Sequence, residues 1–434
     1  MRIAIVGTGY VGLVTGAGFA DFGNEVLCVD VDRSKIEMLE RGEIPFYEPG
    51  LGDLVARNVR DRRLRFGLSL EEATRWAEAI FICVGTPQTK SGRADLRHVL
   101  GAAKTIARAL PGYRLIVQKS TVPVGTADRV DEVIRHHARR GVRWDVASNP
   151  EFLREGTSVE NFMRPDRVVI GADSARARDV LREIYSPLYL IETPMVVTSV
   201  RTAELIKYAA NAFLAAKISF INEMANLAEA VGADVHDVAK GIGLDRRIGP
   251  KFLHPGPGFG GSCLPKDTRA LRDFARRAGV SVRITSAAIE TNDAQRRIAV
   301  QKVLGALHGR GPHTVAVLGL SYKPDTDDLR EAPSLDIVRA LLRRGIRVRV
   351  FDPVVRSEAP GIPKGVTFAQ STYDAAKGAH ALVVVTEWNE FRRLDFARVR
   401  RVMKRRSIVD LRNVYEPARL RRLGFEYTCV GRPT

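Results

Sequence analysis

Residues 2–12 read Arg2-Ile-Ala-Ile-Val-Gly7-Thr-Gly9-Tyr-Val-Gly12. The apolar run at the start predicts a β-strand, and the glycines predict a tight turn that opens a helix. A second apolar run ends at Asp30, so an acid follows the next predicted strand. This G-x-G-x-x-G spacing between a strand and a helix, with an acid after the second strand, is typical of a dinucleotide-binding βαβ unit.

The three glycines of this motif have separate roles. Gly7 permits the turn, Gly9 lets a pyrophosphate approach the backbone, and Gly12 lets the helix pack on the strand. Asp30 is expected to accept hydrogen bonds from the adenosine ribose, which favours NAD over NADP. Arg33 lies close enough in sequence to bind a 2′-phosphate instead. The predicted cofactor-binding residues of this unit are Gly7, Gly9, Tyr10, Val11, Gly12, Asp30 and Lys35.

The alternation of strands and helices continues along the chain and then starts again. Further strand-like runs lie at 79–84, 115–118 and 146–148, and in a second series at 315–319, 347–352, 381–385 and 407–410. We therefore predict an α/β protein with two Rossmann-like doubly wound domains, joined by a long central helix and a small helical domain. The predicted domains are 1–198, 199–308 and 309–434. The second series lacks the glycine fingerprint, so it is expected not to bind a dinucleotide.

Polar residues follow several of the early strands. Thr86 and Thr121 come after the strand-like runs at 79–84 and 115–118, at strand ends where ligands of doubly wound sheets bind. Both are candidate cofactor contacts, although threonine also forms ordinary turns and caps. Glu151 and Glu155 are four residues apart and would share a face if this turn were helical. The alternative is a solvated helix start, where acids are common.

Residues 200–231 contain no proline and are predicted to form one long helix. Its apolar residues cover most of the circumference, which is typical of a helix buried on all sides. We interpret it as the connector between domains and the core of a homodimer. Lys207 and Asn211 are polar residues one turn apart on this helix. Among apolar neighbours each needs a partner, and a ligand is one candidate.

Residues 252–267 read Phe-Leu-His-Pro-Gly-Pro-Gly-Phe-Gly-Gly-Ser-Cys-Leu-Pro-Lys-Asp. The glycines and prolines exclude a regular helix or central strand and predict a loop with little side-chain bulk. Cys263 ends this loop, and Lys266 follows where the chain becomes helical. A helix N-terminus and a nearby cation favour a thiolate, so Cys263 is a candidate nucleophile. The alternative is a small buried residue that closes a turn.

Composition limits the remaining classes of function. The chain has 434 residues, 45% hydrophobic content and a net charge of +18, which indicates a globular protein of two or three domains. Its basic residues are scattered without aromatic interleaving, which argues against nucleic acid as a partner. The four cysteines show no metal-ligand spacing, and their usage fits a reducing cytoplasm. We expect no metal, no signal peptide and no association with membranes.

Seven motifs together resemble the UDP-glucose and GDP-mannose 6-dehydrogenase family over about residues 1–415. They are Gly7–Gly12, Gly85-Thr86-Pro87, Ser120-Thr121-Val122-Pro123, the segment 149–156, the segment 204–211, Gly260-Gly261-Ser262-Cys263, and the segment 323–330. Members of this family oxidise the primary alcohol of a nucleotide sugar twice, to a carboxylate, and reduce two NAD. The resemblance therefore implies an NAD-dependent four-electron dehydrogenase.

The resemblance also implies roles for single residues. Cys263 corresponds to the nucleophile that forms a thiohemiacetal and then a thioester, and Asp267 to a residue that holds or activates water. Lys207 and Asn211 correspond to the pair that stabilises negative charge on oxygen. Glu151 and Thr121 correspond to residues of thioester hydrolysis. The resemblance implies Glu155, Lys266 and Arg330 as further cofactor contacts, beside the candidates Thr86 and Thr121.

The implied substrate contacts are Glu151, Phe152, Leu153, Arg154, Glu155, Lys207, Asn211, Phe252, Leu253, His254, Pro255, Gly256, Gly260 and Lys323, with Arg247 reaching the substrate from a neighbouring subunit. His254-Pro-Gly-Pro-Gly and Tyr322-Lys-Pro324 resemble the bacterial members that act on UDP-glucose. Leu264, after the cysteine, is also common in members that act on GDP-mannose. UDP-glucose is therefore the expected substrate and GDP-mannose the alternative.

Overall fold

The computed structural model describes residues 1–89, 92–308 and 312–433. The chain divides into two compact units. The first unit comprises Met1–Ala210 and Asp273–Gly279, and the second comprises Asn211–Arg272 and Val280–Thr434.

The first unit is built on an eight-stranded sheet with the order β3-β2-β1-β4-β5-β6-β7-β8. Its strands pair in parallel except for β6 and β7, which are antiparallel. The order 3-2-1-4-5-6 of its first six strands is that of a dinucleotide-binding sheet. The strands are β1 (Arg2–Val6), β2 (Glu25–Val29), β3 (Leu64–Gly67), β4 (Ala79–Ile82), β5 (Arg114–Gln118), β6 (Trp144–Ser148), β7 (Val168–Gly171) and β8 (Met195–Thr198).

Helices cover both faces of this sheet, and each face has its own apolar core. The strands are buried on both sides, as expected of parallel strands that carry helical crossovers. The helices are α1 (Tyr10–Asp21), α2 (Arg33–Glu40), α3 (Leu51–Arg60), α4 (Leu70–Trp76), α5 (Arg97–Ala109), α6 (Thr126–His137), α7 (Ser158–Met163) and α8 (Ala175–Ile184), with a 3₁₀ helix at Ser186–Ile191.

The second unit contains a six-stranded parallel sheet with the order β11-β10-β9-β12-β13-β14. Its strand order repeats the doubly wound pattern of the first sheet. The predicted second doubly wound sheet is therefore confirmed. The strands are β9 (Thr314–Leu318), β10 (Arg347–Phe351), β11 (Val366–Phe368), β12 (Ala381–Val384), β13 (Ser407–Asp410) and β14 (Glu426–Thr428).

The remaining helices begin with the long α9 (Val200–Val231), which contains the division between the two units. The others are α10 (Val235–Gly243), α11 (Leu264–Arg277), α12 (Arg283–Gly305), α13 (Pro333–Leu342), α14 (Thr372–Ala376), α15 (Asn389–Arg392), α16 (Phe396–Val402) and α17 (Pro417–Arg422). Within the described part of the chain, no helix has both the length and the apolar character needed to cross a membrane.

The prediction that α9 is buried on all sides is wrong for the single chain. Four large apolar side chains between the middle and the end of α9 are well exposed, namely Phe213, Phe220, Leu227 and Val231. They recur at intervals of seven, seven and four residues, so they lie on one face of the helix. Ile221 and Ala225, which lie on another side of the helix, are part of the core.

The predicted α/β class, with two doubly wound sheets and a long central helix, is confirmed. The three-domain division at residues 198 and 308 stays a prediction. The second of these boundaries leads directly into residues 309–311, which lie outside the described residues.

Candidate active site

The glycine turn of the first unit has the geometry that the sequence predicts. Gly7 has φ +98°, a region that side chains disfavour. A Cβ on Gly12 would lie 1.8 Å from the carbonyl oxygen of Gly7, so the helix can approach the strand only with glycine at this position. No side chain caps the start of α1, and a Cβ on Gly9 would enter open space. The uncapped amides and this space fit the pyrophosphate of NAD.

Asp30 lies beside the glycine turn and already accepts three hydrogen bonds. Oδ2 accepts from the amide and hydroxyl of Thr8 at 2.7 and 2.9 Å, and Oδ1 accepts from the amide of Asp32 at 3.0 Å. A carboxylate has about four acceptor positions, so one remains for a ribose hydroxyl. Asp32 caps α2, and the Lys35 ammonium lies 3.8 Å from Asp32 Oδ2.

Tyr10 contributes to this site through an acid that the sequence analysis missed. Its hydroxyl donates to the buried carboxylate of Glu48. The same carboxylate accepts from the amides of Gly156 and Ser158, each at 2.7 Å, and so satisfies donors at the start of α7. Glu48 therefore connects the start of α1 to the segment that follows Glu155. A single acid in a loop gives no sequence signal for such a role.

The carboxyl ends of β4 and β5 are joined by side-chain hydrogen bonds. The Thr86 hydroxyl donates to the carbonyl oxygen of Thr121 at 2.8 Å, and the Ser120 hydroxyl donates to that of Val84 at 2.7 Å. Both predicted threonines thus lie at this edge of the sheet. A hydroxyl that donates to a carbonyl can still accept a hydrogen bond from a ligand.

Glu204 of α9 is a second buried acid that the sequence analysis did not single out. It accepts from the amides of Gly125 and Ala127 at 2.6 and 2.9 Å, at the N-terminus of α6. Burial nevertheless raises the pKa of Glu204 to about 7, against these two bonds. The nearby charge of Asp128 adds to the rise, and that of Arg201 opposes it.

Glu151 and Lys207 form a buried ion pair. Their atoms Oε1 and Nζ are 2.9 Å apart, and Glu151 Oε2 accepts from the amide of Leu153 at 2.6 Å. The Lys207 ammonium also lies 5.2 Å from the ring centre of Phe152. Burial pushes the pKa of Glu151 upward, but the Lys207 charge and hydrogen bond, the Leu153 amide and the Lys119 charge outweigh it and lower the pKa. The ion pair and the lowered pKa both favour the ionised form of Glu151.

The helical turn considered for Glu151 and Glu155 does not form. Residues 149–154 have no regular secondary structure, and a turn follows at Glu155. Pro150 disfavours a helix at its start, and the bond from Leu153 to the Glu151 carboxylate competes with helical bonding. The two acids consequently share no helical face. Glu155 is buried, and Arg154 is exposed and donates to Asn161.

In the second unit, Cys263 lies at the predicted loop end. Its carbonyl oxygen accepts the amide of Asp267 at 2.8 Å, so Cys263 directly precedes the first residue of α11. The sulfur is 3.4 Å from the Ser262 hydroxyl, and the residue is partly exposed. The other three cysteines are buried. Position and exposure agree with a reactive thiol better than with a packing residue.

Asp267 is held by two polar side chains. Asn211 Nδ2 donates to its Oδ2 at 2.6 Å, and Lys266 Nζ lies 2.5 Å from its Oδ1. Asp267 itself is 1% exposed. The positive charge that the sequence analysis placed beside the thiol is thus paired with this carboxylate.

The loop before Cys263 is held through its backbone by side chains of α9 and α12. The amide of Gly256 donates to Asn222 and its carbonyl accepts from Gln295, both at 2.8 Å. Asn292 bonds both the amide and the carbonyl of Phe259, at 2.7 and 3.2 Å. These amide side chains replace the partner strand that the loop lacks. Their distance in sequence from the loop explains why they were missed.

Two of the loop glycines are required by packing against protein. A Cβ on Gly260 would lie 2.3 Å from the carbonyl oxygen of Glu331, and one on Gly261 would lie 2.7 Å from the ring of Tyr322. The sequence predicts only that this loop has little side-chain bulk. At these two positions the absent side chain lets the loop contact residues after β9.

The other predicted substrate contacts of the second unit have mixed surroundings. Phe252 has φ +66°, a strained conformation for an aromatic residue. Lys323 lies 5.6 Å from the ring centre of Tyr322. In the cysteine loop, residues 252–263, His254 is exposed, and its neighbours Leu253, Pro255 and Gly256 are buried. Two exposed arginines form ion pairs, Arg247 with Asp245 and Arg330 with Asp328.

Asp352 is the counterpart of Asp30 in the second sheet, and its acceptor positions are filled. Oδ2 accepts from the amides of Leu320 and Ser321, the Ser321 hydroxyl and the Trp388 indole. Oδ1 accepts from the amides of Val354 and Val355. The carboxylate is 5% exposed, so it has no position for a ribose hydroxyl.

Comparison with known proteins supports the chemistry of both units. Residues 1–189 match the NAD binding domain of the UDP-glucose/GDP-mannose dehydrogenase family. Residues 201–294 match the central domain of that family, and residues 316–417 match its UDP binding domain. This chain belongs to the UDP-glucose/GDP-mannose dehydrogenase family.

Individual members of the family are similar over their full length. The UDP-glucose 6-dehydrogenase of Rhizobium meliloti (strain 1021) is 51% identical over 438 residues, with all of both chains covered. UDP-glucose 6-dehydrogenase TuaD of Bacillus subtilis (strain 168) is 47% identical, with 100% of this chain and 93% of that protein covered. The solved structure of a UDP-glucose dehydrogenase from Pyrobaculum islandicum has a TM-score of 0.91 and 40% identity, and covers 99% of this chain and 96% of its own.

These matches confirm the predicted family, the enzyme class of NAD-dependent nucleotide-sugar dehydrogenase, and NAD as the cofactor. The roles assigned to single site residues stay predictions.

Proposed function

We propose that this chain oxidises C6 of UDP-glucose to the carboxylate of UDP-glucuronate, in two steps that reduce two NAD. The observation that carries the proposal is the partly exposed Cys263 at the start of α11, four residues before the buried carboxylate of Asp267. An enzyme that only oxidises an alcohol to a carbonyl needs no nucleophile. A second hydride can leave only after a nucleophile has added to the aldehyde.

The proposed steps balance as follows. The C6 alcohol loses a hydride and a proton and becomes an aldehyde. The Cys263 thiol adds to that aldehyde, which gives a thiohemiacetal. Loss of a second hydride and a second proton gives a thioester, and one water molecule then releases the carboxylate and the thiol. Bound NAD supplies the hydride acceptor at each oxidation.

Four further side chains have proposed roles in this sequence. Lys207 and Asn211 donate to the substrate oxygen that becomes negatively charged. Glu151 acts as a carboxylate in thioester hydrolysis, in agreement with its lowered pKa. Asp267 and Thr121 hold the water. The predicted cofactor and substrate contacts named above form part of the same proposal, and so do the three domains.

The proposed active form is a homodimer in a reducing cytoplasm. Phe213 and Val231 are each 67% exposed on one face of α9, and Phe220 and Leu227 lie between them. A row of large apolar side chains of this kind is typical of a protein interface. The guanidinium of Arg247 pairs with Asp245 but is largely exposed, so a second subunit could contact it.

A substrate panel tests the function. UDP-glucose, GDP-mannose and UDP-N-acetyl sugars are each incubated with excess NAD, and NADH is counted by absorbance against the sugar consumed. We expect two NADH per UDP-glucose and UDP-glucuronate as the product. A preference for GDP-mannose would show that the proposed substrate is wrong, while the proposed two-step oxidation would still stand. One NADH per sugar with release of free aldehyde would contradict the proposed use of Cys263.

A further inference from the structure

Arg296 of α12 connects the cysteine loop to a turn that follows β9. Its atom Nη2 donates to the carbonyl oxygen of Phe259 at 2.9 Å and also to the carbonyl oxygen of Glu331. The loop lies against the stem of this arginine as well, because a Cβ on Gly258 would be only 3.1 Å from Arg296 Cγ. One side chain, 12% exposed, therefore holds the backbone of two segments that are far apart in sequence.

Two acids balance the charge of Arg296. Its Nη1 lies 2.9 Å from Asp336 Oδ2, in the first turn of α13, and 3.6 Å from Glu331 Oε2. The guanidinium is planar and its donors have fixed directions, so the bond to Asp336 also fixes how Nη2 faces the two carbonyl oxygens. Both oxygens carry partial negative charge and converge on one nitrogen. Without the guanidinium they would repel each other, and the loop would lose this attachment to the turn.

The turn that contains Glu331 is attached to the chain on both sides of Cys263. Before the cysteine, the amide of Gly261 donates to the carbonyl oxygen of Arg330 at 2.9 Å. After it, a guanidinium nitrogen of Arg269, on α11, lies 3.1 Å from Glu331 Oε1. Glu331 has φ +52°, which costs free energy in a residue other than glycine and persists only where the surroundings hold it. The position of Cys263 therefore depends on this turn.

We propose that Arg296 is a positioning residue, which places the thiol of Cys263 where it can capture the aldehyde formed in the first oxidation. This inference rests on the proposed function, in which the thiol must add before the aldehyde leaves. Addition requires reacting atoms about 3–3.5 Å apart, and a shift of about 1 Å can reduce the rate about a hundredfold. The same turn carries Arg330, a predicted cofactor contact, so Arg296 also sets the separation between two predicted site residues.

The alternative is that Arg296 only stabilises the fold. A loss of stability lowers the amount of active enzyme, but each folded molecule still captures the aldehyde. The ratio of NADH formed to UDP-glucose consumed does not depend on how much of the enzyme is folded. This ratio therefore separates positioning from stability, which a measurement of total activity does not.

Two variants and a matched control test the proposal. Arg296→Met removes the guanidinium and keeps an unbranched side chain. Arg296→Lys keeps a positive charge near Asp336, but one ammonium group lacks the planar fork that reaches the acid and both carbonyl oxygens. The control is Arg349→Met, since Arg349 Nη2 donates to the carbonyl and the carboxylate of Asp374, each at 2.7 Å, in the same unit. Each protein is incubated with UDP-glucose and excess NAD, and free aldehyde is trapped with hydroxylamine.

In Arg296→Met we expect the ratio to fall from two NADH per sugar towards one, with trapped aldehyde accounting for the difference. Arg296→Lys should give an intermediate ratio, and Arg349→Met should keep the ratio at two even if its stability is lower. A ratio of two without trapped aldehyde in Arg296→Met overturns the proposal. If Arg296→Met does not fold, the same result in Arg296→Lys overturns it, and so does an equal fall in Arg349→Met.

Hydrogen–deuterium exchange tests the same attachment without turnover. The peptide that contains Gly261 should exchange about tenfold faster in Arg296→Met than in the wild type, the factor for loss of a charge-assisted hydrogen bond that holds a loop. Arg349→Met should leave this peptide unchanged. Unchanged exchange in folded Arg296→Met overturns the proposal. If the wild-type protein oxidises none of the sugars, the proposed function fails, and the exchange rate still decides whether Arg296 holds the loop.

Discussion

The ammonium nitrogen of Lys207 lies 2.9 Å from Oε1 of Glu151, and each side chain is only 5% exposed. Such a pair is stable while both charges are present, since each ion replaces the water that the other has lost. Removal of one partner leaves an uncompensated buried charge. Stability and the proposed chemistry are therefore coupled at these two residues.

Lys207→Met is expected to destabilise the protein by about 3–5 kcal/mol, the range for breaking a buried ion pair. Glu151→Gln in the same chain removes the stranded carboxylate, so the double variant is expected to regain part of this loss without regaining activity. Denaturant unfolding of wild type, both single variants and the double variant gives the coupling energy.

The matched control is the exposed pair of Arg201 and Asp128, whose side chains are 72% and 54% exposed. Arg201→Met should cost less than about 1 kcal/mol, because water screens exposed pairs. Equal losses of unfolding free energy in Arg201→Met and Lys207→Met would show that burial does not strengthen the ion pair of Lys207 and Glu151.

Cys263→Ser is expected to stop the reaction before the carboxylate. Serine keeps the size, but its hydroxyl is hardly ionised at neutral pH and does not replace a thiolate. The variant should bind NAD and UDP-glucose, while UDP-glucuronate formation falls by orders of magnitude. Products are analysed with excess NAD, with the buried Cys429→Ser as the control. Near-normal yields from Cys263→Ser would refute covalent catalysis.

Asp30 is expected to make NAD the preferred cofactor by at least about tenfold, or ~1.4 kcal/mol, because it repels a 2′-phosphate. Asp30→Ser should reduce the ratio of kcat/KM for NAD over NADP. It should also weaken binding of both, since the carboxylate holds Thr8 and Asp32. Arg33→Ala is the control. If the wild-type protein uses both cofactors equally, Arg33 and not Asp30 decides the choice.

The raised pKa of Glu204, about 7, predicts a pH-dependent stability. An unfolded glutamate ionises near pH 4.3, so between there and pH 7 only the folded chain keeps the proton. The contribution of Glu204 to the unfolding free energy has its largest value below about pH 4.3. It declines by about 1.4 kcal/mol per pH unit as the pH rises towards 7.

Glu204→Gln should therefore flatten the decline of the unfolding free energy between pH 5 and pH 8. Glu132→Gln changes an exposed acid of α6 and serves as the control. Identical slopes for wild type and Glu204→Gln would mean that the carboxylate at the start of α6 ionises as an ordinary glutamate.

The exposed face of α9 is expected to hold two subunits together. Phe213→Glu and Leu227→Glu place charges in this face and should give monomers in light scattering at assay concentrations. Leu423→Glu adds the same charge to an exposed leucine near the C-terminus and should leave the dimer intact. An active wild-type monomer would contradict both the dimer and the role of Arg247 in a neighbouring site.

The architecture could be predicted because local signals agree with one another. The glycine turn before α1, the apolar strands and the uninterrupted helix α9 each follow from residues near in sequence. The exposure of Phe213 could not be predicted, because a helix apolar on most sides looks the same in sequence whether the chain itself or a second chain covers it. The irregular segment at Glu151 depended on a side-chain bond to the Leu153 amide that no periodicity reveals.

The site residues that the sequence proposes are those with a chemistry of their own, such as Cys263 and Asp30. Residues that act through others were missed. Glu48 and Arg296 each bind groups far away in sequence, as the contacts with Gly156 and Phe259 show. One sequence contains no signal for such contacts, because they depend on how distant segments pack together.

Gly260 and Gly261 change what a mutational scan of the cysteine loop would measure. Any side chain at Gly260 meets the Glu331 backbone, and any side chain at Gly261 meets the Tyr322 ring. Loss of activity at these two positions would thus reflect a displaced loop and a lower yield of folded enzyme. Attempts to broaden the range of accepted sugars should leave both glycines fixed and diversify the exposed His254 instead.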